Sequence, residues 1–340
     1  TWCELADRGH DVSLELDVND AVTREAVRLH APELVVAPFL KRAIPEDVWR
    51  ATPCWIVHPG IPGDRGPAAL DWAILERRDA WGVTVLEANA EYDAGDVWGD
   101  ARFPMRDASK ASLYRDEVAR AAVDALLAAL DRRARGEPPR AQSALDPARA
   151  GTWHPSPTRA DRAIDWAAAG TDEVLRRLRA SDSAPGVPDE ILGTRARLYD
   201  AQPGPRVAGA APGEWLARRE GALLRATRDG SVWIGHARRE GAETFKLPAL
   251  LACPEAASLA ERPRPGGLPF AVCEAAAGRT GGADAVLDPT GTTDGEYAEI
   301  RYAEEGAVGY LAFDFYNGAM SVAQCERLCA ALDFANARPT

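Results

Sequence analysis

The stretch CWIVHPGIPGDRGP, residues 54–67, sets an apolar run against His58 and then a loop marked by Pro59, Pro62, Pro67, Gly60, Gly63 and Gly66. Cys54–His58 reads as a short buried strand, ended by a proline–glycine turn signal. The histidine therefore stands at the carboxyl end of a strand, where the chain leaves for a loop. Working outward, Glu33–Ala37 (ELVVA) and Gly82–Leu86 (GVTVL) read as further strands, with Pro67–Arg77 helical between 54–58 and 82–86. Asp11–Leu16 (DVSLEL) is expected as another strand and Asp20–His30 as a helix. Pro45 sits at a helix start, where its missing N–H is harmless. From about Ala111 to Arg135 a long amphipathic helix carries Val118, Ala122, Leu126 and Leu130 along one stripe. This alternation predicts an α/β fold with a mostly parallel sheet covered by helices. Such sheets bind ligands beyond the carboxyl ends of their strands, where His58 lies and where Asp93 is expected in a post-strand loop.

The bulk numbers bound the class. At 340 residues the chain is long for one domain, so two or more are expected. Hydrophobic residues at 46% and charged residues at 27% suit a soluble globular protein. A net charge of −12 excludes non-specific nucleic-acid binding as a class, because tracking phosphates needs a basic excess. No apolar run approaches the roughly 20 residues that span a bilayer. No signal peptide is legible, so a cytoplasmic protein is expected, with neither nucleic acid nor membrane as partner. Cys3, Cys54, Cys253, Cys273, Cys325 and Cys329 form no C-x-x-C pair and read as reduced structural thiols, with no metal site expected.

The composition divides the chain. Trp2–Arg8 looks like the tail of a helix without the strand that should precede it, so some N-terminal residues are expected to be missing. Residues 1–135 are expected as one α/β domain, and the proline-rich stretch 136–151 as a linker. Residues 152–252 are expected as a small β-rich, barrel-like domain. Its strands are read at Ala196–Tyr199, Gly213–Arg218, Leu223–Thr227 and Val232–Ile234, beside a helix at Thr171–Arg179. A second linker is expected at 253–296. Residues 297–340, with a strand at Gly309–Phe315 and a helix at Ser321–Phe334, read as the opening of a third domain cut short.

His58 alone is ambiguous, since a histidine after a buried strand is commonly a satisfied core side chain. Asp93, in Tyr-Asp-Ala-Gly-Asp96, is equally readable as a turn aspartate before glycine. Together they make a plausible acid/base pair on neighbouring loops.

The run H-P-G-I-P-G-D-R-G-P, the following helical stretch, G-V-T-V and then D-A-G-D at 93–96 resemble the 10-formyltetrahydrofolate formyltransferase superfamily. Its pattern is N-x-H-P-S-L-L-P…R-G…G-V-T…D-x-G. The segment D-R-A-I-D-W at 161–166 is similar to the C-terminal domain of methionyl-tRNA formyltransferases. The resemblance covers roughly residues 1–250 and implies a Rossmann-like formyltransferase fold. Gly306–Leu328 resembles the opening hairpin and helix of a crotonase (enoyl-CoA hydratase) domain. A formyltransferase fused to a crotonase is the architecture of a family of hydrogenase maturation factors.

That resemblance implies binding of 10-formyltetrahydrofolate and transfer of its formyl group to coenzyme A. The resulting formyl-CoA would serve CO-ligand synthesis for [NiFe]-hydrogenase, with hydrogenase maturation proteins as partners. CO release belongs to the crotonase half and is not expected of this chain. Carried over, His58 is the catalytic histidine, shuttling a proton, and Asp93 the catalytic aspartate that orients it. Lys41, Arg42 and Ala43, in the loop Phe39–Ile44, and Asn89, Ala90 and Glu91 on the other side are the expected folate contacts. Arg65 is the remaining candidate for an anionic group. One departure stands out: the family's asparagine two positions before the histidine is Ile56, which donates no hydrogen bond. Asn89 is a candidate substitute donor. The missing amide leaves two other readings open, a formyltetrahydrofolate hydrolase that uses water and a folate-binding scaffold.

Overall fold

Every side chain of Cys54–His58 except Ile56 is buried, because this strand (β2) lies inside a sheet with neighbours on both sides. The computed structural model describes residues 1–340 apart from 17, 39, 41, 149, 242–244, 274–295, 314, 317–319 and 339–340. The chain divides into two compact units, Thr1–Thr158 and Arg159–Thr340.

In the first unit the sheet runs β1-β2-β3-β4, with β1 at Val35–Pro38, β3 at Ala80–Glu87 and β4 at Val97–Pro104. The helices are α1 (Trp2–Asp7), α2 (Asp20–His30), α3 (Glu46–Ala51), α4 (Ala69–Leu75), α5 (Lys110–Leu113) and α6 (Ala119–Ala134). The α/β class holds, but the sheet is mixed rather than mostly parallel. Only β1 and β2 run parallel, while β2–β3 and β3–β4 are antiparallel. Alternation of strand and helix does not carry strand direction, which is set by where each connection returns.

Along β2 the side chains alternate between the two faces of the sheet. Trp55 belongs to the face covered by α6, whose Arg133 lies 5.9 Å over its ring. Ile56 and His58 share the opposite face. The helix comes close because its buried positions other than Leu126 are small, Ala121, Ala122, Ala125 and Ala129, and because Gly99 on β4 has no Cβ. A Cβ there would stand 2.4 Å from the Ala125 carbonyl. The long helix expected over 111–135 is interrupted by a π turn at Tyr114–Val118.

Two expectations are corrected here. Asp11–Leu16 is not a strand: Leu14 and Leu16 are exposed, and no strand lies beside them among the described residues to complete a ladder. The stretch 136–151 is no free tether, for it is stitched to the sheet and loops of the first unit. Arg140 and Val97 exchange both backbone hydrogen bonds at 2.8 Å, and Gly151 N donates to the Pro62 carbonyl at 2.9 Å.

The second unit holds a six-stranded antiparallel sheet. Its strands are β5 (Val187–Ile191), β6 (Thr194–Gly204), β7 (Trp215–Arg219), β8 (Ala222–Ala226), β9 (Ser231–Arg239) and β10 (Leu247–Pro248). The order is β5-β6-β9-β8-β7 with β10 on β9, and no pairing among the described residues closes it into a barrel. The strand β5, with Pro188, Asp189 and Glu190 at its centre, escaped the sequence reading because it lacks an apolar run. Helices α7 (Arg159–Arg162) and α8 (Thr171–Ser181) precede the sheet. Val174, Leu175 and Leu178 of α8 join Val187, Leu198 and Ile234 in the core.

A three-stranded sheet follows: β11 (Ala271–Cys273) parallel to β12 (Ile300–Glu305), and β13 (Val308–Phe313) antiparallel to it. A helix at Val322–Asn336 follows, started by a capping box between Ser321 and Gln324. Half of the linker expected at 253–296, residues 274–295, lies outside the described residues, and its described part includes β11. His236 is buried, its Nδ1 2.8 Å from Asp200 Oδ2 and its ring stacked on Tyr316.

Trp166, from the segment that resembles the family's domain junction, is held by Asp189. Its indole N–H donates to Asp189 Oδ2 at 2.6 Å, and Arg225 donates to Asp189 Oδ1 at 3.0 Å. The Arg225 guanidinium lies 4.0 Å over the Trp166 ring. Burial pushes Arg225 below its ordinary value, and the adjacent Asp189 opposes that shift. Asp189→Ala should therefore leave a buried guanidinium unpaired and cost about 3 kcal/mol, read as a lower denaturant midpoint.

Candidate active site

The chain leaves β2 at His58 and turns at once. Two side chains of β3 hold that exit: Trp81 donates its indole N–H to the Pro59 carbonyl at 2.9 Å, and Thr84 its hydroxyl to the Gly60 carbonyl at 2.8 Å. The chain then closes a turn with Asp64 N on the Ile61 carbonyl, which returns Asp64 to the histidine. Asp64 Oδ2 lies 2.8 Å from His58 Nε2, and both side chains are almost wholly buried. Gly60 makes the pair possible, since a Cβ there would stand 2.4 Å from Asp64 Oδ2 and 2.5 Å from His58 Nε2. Glycine at this position thus serves the histidine–aspartate pair.

Asp93 reaches the same ring from the other side, its Oδ1 3.6 Å from His58 Nδ1. It does not lie at a carboxyl end next to His58. β3 is antiparallel to β2, with Thr84 opposite His58 and Glu87 opposite Trp55. The end of β3 is therefore three residues back, about 10 Å at the rise of a strand. The loop 88–96 carries Asp93 back to the ring, and three contacts hold it there. Asp93 adopts a left-handed φ of 54°, uncommon for a residue with a side chain. Its Oδ2 accepts from Gly66 N at 3.0 Å, which ties loop 88–96 to loop 59–67. Gln142 donates through Nε2 to the carbonyls of Asp93 at 2.8 Å and Gly95 at 2.9 Å. Gly95 allows the close approach, for a Cβ there would stand 1.8 Å from the Glu87 carbonyl.

The expected catalytic pair, His58 and Asp93, is thus brought together. Arg42 and Ala43 lie in the loop that leaves β1 at the His58 end of the sheet, since parallel pairing sets Pro38 beside Val57. Lys41 lies outside the described residues. Arg42 is turned to α2, donating to the Val18 carbonyl at 2.9 Å and to Asp20 at 2.5 Å. Asn89, Ala90 and Glu91 are exposed in loop 88–96. The Asn89 carbonyl oxygen accepts from Glu91 N at 2.9 Å, so that end of the amide is spent on its own loop. Glu91 pairs with Arg65, which also donates to the Tyr92 carbonyl at 3.3 Å. Arg65 therefore joins the two loops, while Ile56 lies on the His58 face of β2, half buried.

Sequence reasoning passed over Asp64, Thr84, Gln142 and the hydrogen bond of Trp81. Only Asp64 left a signal: an aspartate six residues after the histidine, with glycine where the family pattern has serine. Cys54, on the same strand, is no candidate nucleophile, because burial pushes its thiol up to about 11. Among the described residues no group of three or more His, Cys, Asp or Glu could hold a metal ion, and no helix is long and apolar enough to cross a membrane. A buried imidazole flanked by two carboxylates can accept, hold and return a proton at a defined atom.

Two family models match the chain, one described as formyl transferase over residues 15–130 and one as formyl transferase, C-terminal domain, over residues 157–253. The chain is 47% identical to a hydrogenase maturation factor HoxX of Bradyrhizobium diazoefficiens, across 99% of its own length and 54% of the relative. A methionyl-tRNA formyltransferase of Desulfotalea psychrophila is 29% identical, with 67% of this chain and 70% of the relative covered. Among solved structures, HypX from Aquifex aeolicus in complex with tetrahydrofolic acid superposes with a TM-score of 0.85 at 42% identity, covering 100% of this chain and 55% of that one. The chain spans about half the length of these HoxX and HypX relatives.

The Gln142 clamp yields a test of the site's construction. Its two hydrogen bonds are worth about 1 kcal/mol each, so Gln142→Ala should loosen loop 88–96 by about 2 kcal/mol. Amide hydrogen exchange in that loop should rise at least about tenfold, while β2 and β3 exchange as before.

Proposed function

Because the chain belongs to the formyl transferase family, we propose that it binds 10-formyltetrahydrofolate beside His58 and transfers the formyl group. The observation that carries this reading is the imidazole of His58 with Asp93 Oδ1 3.6 Å from its Nδ1, Asp93 lying in loop 88–96, whose residues 89–92 are exposed. The tetrahydrofolic acid bound by HypX from Aquifex aeolicus, 42% identical to this chain, supports the choice of ligand. The residues suit that ligand, since a proton-handling group on a largely closed face adjoins exposed backbone that can meet a flat polar ring. Lys41, Arg42 and Ala43 would line one side of the ligand and Asn89, Ala90 and Glu91 the other. Arg42 would have to leave Asp20 to engage an anionic group, a small cost for an exposed ion pair.

The acceptor we propose is the thiol of coenzyme A, giving formyl-CoA for CO-ligand synthesis in hydrogenase maturation. Similarity to HoxX and HypX supports that role. Ile56 sets the site apart from the amine-formylating pattern, because the amide that would hold the formyl oxygen is replaced by a hydrocarbon. Losing such a donor typically costs about 10²–10³ in rate. A thiol that gives up its proton as it attacks gains the nucleophilicity of the thiolate, which eases that deficit. Water as acceptor, giving formate, is the competing outcome.

Incubation with 10-formyltetrahydrofolate, with and without coenzyme A, separates these outcomes. Formyl-CoA appearing only with coenzyme A is expected, and formate release indifferent to coenzyme A would sink the thiol acceptor. His58→Ala should lower turnover at least about 10²-fold with tetrahydrofolate binding retained. Full turnover by that variant would remove His58 from the chemistry.

A further inference from the structure

His58 carries two carboxylates, and they are not equivalent. Asp64 meets Nε2 at 2.8 Å, within hydrogen-bond range, while Asp93 meets Nδ1 only at 3.6 Å, beyond it. The Asp64 side chain is 1% exposed, against 14% for Asp93. Asp64 is fixed from several sides. Its N–H is spent on the Ile61 turn, and Gly151 packs so closely that a Cβ there would stand 2.5 Å from the Asp64 Cα and Cβ. Its second oxygen, Oδ1, is buried with no hydrogen-bond partner among the described residues. A buried carboxylate with one oxygen unmatched is costly, and its compensating bond here is to the imidazole.

We propose that Asp64 is the residue that positions His58, fixing its tautomer so that Nδ1 is the working nitrogen. The inference rests on His58 acting in the formyl transfer proposed above, and it assigns to Asp64 the orienting role expected of Asp93. A carboxylate only accepts hydrogen bonds, so Nε2 must carry the proton it shares with Asp64. The bond at one ring nitrogen decides the state of the other, and Nδ1 is left with its lone pair. That lone pair faces the gap toward Asp93, where a proton can be received. The acceptor's S–H proton passes to Nδ1 as its sulfur bonds to the formyl carbon. The bond from that carbon to the folate nitrogen breaks, and the proton passes from Nδ1 to that nitrogen. While the ring holds both protons its charge lies between Asp64 and Asp93. Asp93 is then the second partner of the moving proton through Oδ1, its other oxygen accepting from Gly66 N. The logic is that of a base oriented by a third group behind it.

The test reads the tautomer directly. With histidine labelled by ¹⁵N in the whole chain, the His58 signals, identified by their loss in His58→Ala, should show the proton on Nε2. Asp64→Ala should release a mixture of tautomers and lower formyl transfer at least about 10²-fold, with tetrahydrofolate affinity within about threefold of wild type. Asp64→Asn, isosteric and still able to accept through its amide oxygen, should restore the Nε2–H tautomer and part of the rate. A wild-type proton on Nδ1, or an Asp64→Ala protein unchanged in tautomer and rate, overturns the assignment. If the wild type transfers no formyl group, the reading of function fails, and the tautomer measurement still decides Asp64. Should Asp64→Ala not fold, a comparison of Asp64→Asn with wild type decides. An Nδ1–H tautomer in either protein overturns the assignment, and an Nε2–H tautomer in both, with a reduced rate in the variant, supports it.

Discussion

The imidazole of His58, held between Asp64 and Asp93 where water scarcely reaches, is the interaction around which the first unit is arranged. Polar groups buried this deeply must satisfy one another, and doing so constrains the backbone around them. Gly60 lacks a Cβ because the pair occupies that space, and Trp81 and Thr84 use side-chain hydrogen bonds to hold the two carbonyls after the histidine. The strand, the turn and the neighbouring strand all serve a single side-chain orientation.

A second constraint comes from strand direction. Because β3 runs against β2, its carboxyl end is remote from His58, and an aspartate at that end would be out of reach. The loop 88–96 closes the distance, at the expense of a left-handed residue at Asp93 and of carbonyls that need partners. Gln142 supplies partners for two of them. The segment between the two formyl transferase matches is therefore part of the site's construction: it braces loop 88–96 through Gln142 and loop 59–67 through Gly151 and Thr152. A change in that segment would be felt at His58 without touching it.

In the second unit the same physics serves stability. Asp189 joins the indole of Trp166 to the guanidinium of Arg225, a buried charge pair whose cation also lies over two tryptophan rings. The strand that carries Asp189 has no apolar run, so its place in the sheet follows from this polar anchoring and from its pairing with β6.

By itself the sequence determined what is local. The apolar run of Cys54–His58, the helix at Asp20–His30 and the antiparallel strands after residue 190 are legible because burial periodicity and turn residues lie within a few positions of each other. His58 and Asp93 lie far apart along the chain; their expected places after strands suggested them as a pair, and the spacing of a family motif implied their roles. Asp11–Leu16 misled because its alternation describes a strand whose partner is not beside it. Tertiary structure alone decided the direction of β3, the return of Asp64 through a tight turn, and the bracing of Asp93 by Gln142. These depend on hydrogen bonds between groups distant in sequence, and no periodicity records them. The histidine is legible in the chain; that Asp64 stands 2.8 Å from its ring and Asp93 3.6 Å is a property of the folded turn and loop alone.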